Sequence, residues 1–192
     1  MVWPIPVLYN RPMSAANRFL ISVIVMTASL GGTMSSASTP PRQVGAAMAL
    51  LATLEDAQVL PPEGTPEANR VVKIVIQFQS AFMKSEDDTL REFFRQALLN
   101  EFGDQRGGEI EASFPKTGWT APVLGALVKY RHGITDAETG ALASAFSRYN
   151  VTTADFDYLL TLFQNARLAY RARGQDIETV FAERRRRMPG AS

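Results

Sequence analysis

From Gln43 to Pro189 the sequence alternates apolar stripes of helical period with residues that suit helix starts and stops. Thr65 stands as an N-cap before Pro66 and Glu67, an order that fits the free N–H groups of a first turn. Thr135 and Glu138 have the spacing of a capping box. Thr152 or Thr153 caps a later helix, and Asp176 caps the last. Gly103, Gly133 and Gly174 stand where stripes end, Asn150 can end a helix in a left-handed conformation, and Pro189 closes the series.

Helices are therefore expected over Gln43–Ala57, from Pro66 through the run VVKIVIQFQSAFMK, over TLREFFRQALLNEF, and over Ala121–His132, Asp136–Tyr149 and the stretch ending at Ala172. The run from Val71 is β-rich in propensity, but Val71, Ile74, Val75, Phe78 and Phe82 share one helical face. Its start signal and length favour a helix buried on most sides. Asp104–Trp119, with three glycines and a proline, has no strong period and reads as the longest irregular loop. Short loops between such helices favour antiparallel neighbours. The expected fold is all-α: a compact bundle of about six or seven mostly antiparallel helices, one domain over residues 42–192.

Ahead of it lies a different kind of segment. Arg18 precedes an uncharged run, Phe19–Leu30, followed by small residues ending Ser35-Ser36-Ala37. A basic start, an apolar core of about 12 residues and a small-x-small exit are the parts of a secretory signal. Cleavage is expected after Ala37, leaving a mature chain that begins at Ser38, with residues 38–41 as linker. A spanning helix needs roughly 20 apolar residues, so an uncleaved membrane anchor is the alternative reading and a structural helix the third. Met1–Pro12, with Trp3 and three prolines, is unlike a signal start, and Met13 opens a more ordinary one. Residues 1–12 are expected to be a mis-assigned start.

The sequence has no cysteine, which excludes disulfides, thiolate catalysis, cysteine-ligated zinc, iron–sulfur clusters and a lipoprotein anchor. Packing alone must hold the fold. The formal charge of +1 loses Arg11 and Arg18 on processing and becomes about −1, no global attraction for nucleic acid or anionic lipid. The charges are segregated, however. Glu55 to Glu111 holds twelve acids and six bases, whereas seven arginines from Arg167 onward face only Asp176, Glu178 and Glu183.

Catalytic constellations are sparse. His132, the single histidine, sits at a helix C-terminus, where it suits the dipole and free carbonyls. A lone histidine builds no His-rich metal site, and no Gly-x-Ser-x-Gly elbow is present. Glu109 and Glu111 are the remaining acid–base candidates, since alternate residues of an extended loop fall on one side at roughly the spacing of paired carboxylates. The acids of Ser85–Asp88 lack the alternation of a calcium loop, and no phosphate loop occurs. Neither a metal nor a cofactor is expected.

The leading expectation is an exported soluble helical protein that binds another protein of the cell envelope, as an accessory or assembly module, in the periplasm or the medium. Its expected partner-binding residues are Arg106 and Trp119 in the irregular loop and Arg184, Arg185, Arg186 and Arg187 in the basic tail. Tyr149, Tyr158 and Tyr170 also suit an interface. The alternatives are a carboxylate-based hydrolase on Glu109 and Glu111, a membrane-anchored subunit, and an apolar-ligand carrier with a cavity near Phe78, Phe82 and Phe94.

Overall fold

Local capping and apolar period decide where each element begins and ends. The computed structural model describes residues 41–83, 88–117, 121–188 and 190. The expected signal segment, its cut after Ala37 and linker residues 38–40 lie outside the described residues. Among the described residues all regular structure is helical. There are seven helices: α1 (Pro41–Asp56), α2 (Pro66–Met83), α3 (Asp88–Thr117), α4 (Ala121–Tyr130), α5 (Asp136–Ser147), α6 (Thr153–Ala172) and α7 (Ile177–Arg186). All described residues fall in one compact unit, Ser35–Ser192. Pro41, expected in the linker, is instead the first residue of α1, where its fixed φ suits a helix start.

The expected caps form. Thr65 Oγ1 accepts from the Ala68 N–H at 3.2 Å. Thr135 and Glu138 complete a capping box on α5. Thr152, rather than Thr153, caps α6, and Asp155 answers it as the reciprocal partner. Asp176 accepts from the Thr179 N–H at the start of α7. Three helices end in Schellman turns. The Val59, Val151 and Gln175 N–H groups reach back to the carbonyls of Leu54, Phe146 and Tyr170. The residues before them, Gln58, Asn150 and Gly174, hold positive φ of 58°, 54° and 70°.

The largest departure from the sequence reading is the expected loop Asp104–Trp119, which is helical through Thr117. Gly103 does stop the first half of α3, with φ 75° and ψ 173°, a region open in practice to glycine alone. A second helical half starts directly after it. Gly107 explains why the corner closes: a Cβ there would lie 2.9 Å from the Leu98 carbonyl oxygen and 3.1 Å from Leu99 Cδ2. That glycine serves close approach of the two halves, not chain flexibility.

The core is apolar and continuous. Leu50, Leu54, Leu90, Leu98, Leu124, Leu127, Phe146, Leu159, Phe163 and Tyr170 are its largest fully buried side chains. The stripes expected on α2, α3 and α6 face inward, including Val71, Ile74 and Val75, then Leu90, Phe93 and Phe94, then Phe156, Leu159 and Phe163. Phe93 packs with Phe94, Tyr130 and Phe156 at ring-centroid distances of 5.9, 5.3 and 6.1 Å. α3 packs most extensively on α4, and α1 on α7. The side chains of Phe78 and Phe82 lie outside the described residues, while Phe94 is buried among them.

Candidate functional site

The first half of α3 has two working faces. Leu90, Phe94 and Leu98 enter the core. Thr89, Glu92, Phe93, Gln96, Ala97, Asn100 and Glu101 form a neighbouring stripe at i, i+3, i+4 spacing, and this stripe lines two pockets. The first, about 190 Å³, is walled by Thr89, Glu92, Phe93 and Gln96 on one side and by Tyr130, Glu138, Ala141 and Leu142 on the other. The second, about 410 Å³, lies between Ala97, Asn100 and Glu101 and the α4 residues Ala126, Lys129 and Tyr130, with Gly133 beyond. Tyr130 lines both, so they make one groove along α3, over α4 and α5.

The groove is apolar below and charged above. Glu92 is braced within α3 by Gln96 Nε2 at 2.6 Å and by Arg95 Nη1 at 3.1 Å. The Gln96 hydrogen bond, then Arg95, holds the Glu92 carboxyl below the usual carboxylate range. Glu138 is held by the Thr135 backbone and hydroxyl at 2.7 and 2.8 Å, and these bonds lower its pKa as well. Tyr130 is pushed the other way. Burial raises its phenol, and the Glu138 and Glu92 carboxylates raise it further. At the far end, Lys129 Nζ pairs with Glu101 across the α3–α4 seam. The groove therefore offers two fixed anionic side chains, an aromatic at its centre and one ion pair already closed.

A second cluster gathers at the end of α1. Asp56 Oδ2 receives Arg184 Nη2 at 3.0 Å and the Tyr170 hydroxyl at 2.8 Å. Arg184 Nη1 donates to the Ala52 carbonyl at 2.6 Å, and Arg173 Nη2 to the Asp56 carbonyl at 3.0 Å. Two guanidinium groups thus meet the negative end of α1's dipole. Arg173 also lies over the Tyr170 ring at 5.3 Å. This cluster is a clamp between α1, α6 and α7.

No protein-family model matches the chain, and no curated protein or solved structure matches it.

Helical geometry corrects two sequence expectations. Glu109 and Glu111 stand on α3, not on an extended loop. Two residues of helix turn the side chain by about 200°, so the pair does not face one way. Glu109 is exposed, Glu111 is half-buried, and neither lines either pocket. Tyr170, expected at a partner surface, is fully buried. Tyr158 lies half-buried beneath Arg70, whose guanidinium sits 5.1 Å from its ring and pairs with Asp155 at 2.6 Å; Tyr149 is half-buried too.

The remaining candidates separate. His132 is exposed in the turn just past α4, its N–H reaching the Lys129 carbonyl at 3.4 Å. Arg106 is exposed on the second half of α3, over the Phe102 ring at 5.2 Å. Trp119 lies outside the described residues. In the basic tail, Arg184 is committed to the α1 clamp, and Arg185 Nη2 donates to the Gly190 carbonyl at 2.8 Å. Arg186 and Arg187 are exposed. Among the described residues no group of three or more acidic or histidine side chains could hold a metal ion. No described helix is long and apolar enough to cross a membrane. The sequence reading missed Glu92, Gln96, Tyr130 and Glu138. Their signal was present as a half-polar stripe flanking the core stripe of α3, but its other wall comes from α4 and α5.

Proposed function

We propose that the protein is an exported helical binding module, an accessory or assembly factor that holds another protein of the cell envelope. The groove over α3, α4 and α5 is the observation that carries this reading. It lies beside the buried helical core, with an aromatic centre and a polar rim, the anatomy of an interface core. Tyrosine at the middle of such a surface is a preferred anchor residue. The exposed Arg186 and Arg187 add a second contact region of opposite sign. The sequence of Arg18–Ala37 supports export, with cleavage after Ala37.

Photo-reactive amino acids placed in living cells test the binding role. Asn100 and Ala141 are exposed and line the two halves of the groove. Leu168, 53% exposed on α6, is outside both. The expected result is one discrete heteromeric adduct from Asn100 and from Ala141, with none from Leu168. No adduct, or the same smear from all three positions, removes the proposal.

Export has its own readout. Mass spectrometry of the native chain is expected to find an N-terminus at Ser38 in the soluble extracytoplasmic fraction. An intact Phe19–Leu30 segment in the membrane fraction would make the protein an anchored subunit instead.

A further inference from the structure

The smaller half of the groove has a more specific chemistry. Its volume, about 190 Å³, is far below that of sites for drug-sized ligands and suits one ring or one long side chain. Its floor is the buried Phe93 and Leu142, the exposed Ala141 stands at its edge, and its rim carries Glu92 and Glu138 with the Tyr130 ring between the two walls. No cationic residue lines it. Arg95 touches Glu92 only as an exposed neighbour on the same helix, the kind of pair that contributes little. Lys129, the cation of the adjoining pocket, is already bound to Glu101.

From this we infer that the notch receives one cationic side chain, arginine or lysine, from the partner protein. The charged head lies between Glu92 and Glu138, and the alkyl stem lies on Phe93 and Tyr130. The inference rests on the binding-module reading and names the partner's chemistry. Three features favour it. Both carboxylates are held in place before anything binds, Glu92 by Gln96 and Glu138 by the capping box, so little side-chain ordering remains to oppose binding. The aromatic faces add a cation–π attraction. A long amphipathic side chain matches an apolar floor under an anionic rim.

The test uses the whole protein and a blocked pentapeptide of alanines with one central arginine, followed by amide NMR shifts. A peptide with citrulline in its place keeps the shape and loses the charge. Shifts are expected to cluster at Glu92, Gln96, Tyr130 and Ala141 and to saturate in the millimolar range. Citrulline, and separately the double variant E92Q/E138Q, should each weaken binding about tenfold. Glutamine keeps the capping-box bond at position 138, so the variant retains α5. Shifts centred elsewhere, an equal response to citrulline, or an undiminished response in E92Q/E138Q would overturn the inference. So would the same residues shifting with protein concentration in the absence of peptide, which would give the notch to a second copy's arginines. The two proposals fail separately. An adduct from Ala141 with no peptide response leaves a binding module without a cation notch, whereas a peptide response with no adduct leaves the notch without the module.

Discussion

Tyr170→Ala is expected to remove roughly 3–5 kcal/mol of folding stability, a large share of what a domain of this size possesses. The side chain is fully buried, and its hydroxyl meets Asp56 Oδ2 at 2.8 Å and the Thr53 carbonyl at 3.1 Å. One proton cannot serve both fully, and the carboxylate is the stronger acceptor. Tyr170→Phe keeps the ring and should cost only about 1–3 kcal/mol. Urea titrations of the three proteins separate the packing from the hydrogen bond.

The same hydroxyl predicts an alkaline signature. Burial first, and then the bond to Asp56, push the Tyr170 phenol up to about 12, against the opposing pull of Arg184 and Arg173. In the unfolded chain it titrates near its ordinary value of about 10. The fold therefore favours the protonated phenol. That contribution is complete below pH 10 and disappears as pH rises toward 12. It amounts to about 2–3 kcal/mol. Stability curves of the wild type and Tyr170→Phe should converge over that window. Curves that stay parallel would show that the phenol's ionisation is not linked to folding.

The corner of α3 yields the second large effect, and it differs in sign between adjacent residues. Gly107→Ala drives a Cβ against the Leu98 backbone at 2.9–3.0 Å, so the two halves must separate, at a cost of about 1–3 kcal/mol. Gly108→Ala meets nothing within 4 Å and has no positive φ; it should stabilise by about 0.5–1 kcal/mol through helix propensity and a less free unfolded chain. Gly103→Ala again loses about 1–3 kcal/mol, because φ 75° with ψ 173° suits glycine alone. Thermal unfolding of the three variants reads the order directly. Equal responses at residues 107 and 108 would mean that the halves do not meet as described.

These glycines also show where the sequence could and could not be read. Caps and stripes are local signals, and α2, α5, α6 and α7 carry both, so their starts at Thr65, Thr135, Thr152 and Asp176 were legible. The second half of α3 was not. Gly103, Gly107 and Gly108 look alike in a string of letters, yet Gly103 turns the chain, Gly107 admits a neighbouring backbone, and Gly108 does neither. Arg184 was hidden for a similar reason. Within a run of four arginines nothing marks the one that turns inward, because its acceptors, Ala52 and Asp56, lie 132 and about 130 residues earlier in the sequence. The groove needed three elements placed by that same corner. Each wall has a helical period of its own, but no local signal says that the walls meet, and Tyr130 and Glu138 join the α3 stripe through tertiary geometry.

The clamp on α1 has a kinetic consequence. The bond from Arg184 to the Ala52 carbonyl closes a loop of 132 residues, and helix α1 packs most extensively on the last helix of the fold. A chain that emerges N-terminus first therefore carries α1, with the apolar side of Leu50 and Leu54, without its principal support until α7 has appeared. Contacts of such long range form late, since the loop entropy must be met before they contribute. Until α7, Ile177–Arg186, has emerged, the apolar side of α1 stays without its main partner and open to the grip of a chaperone.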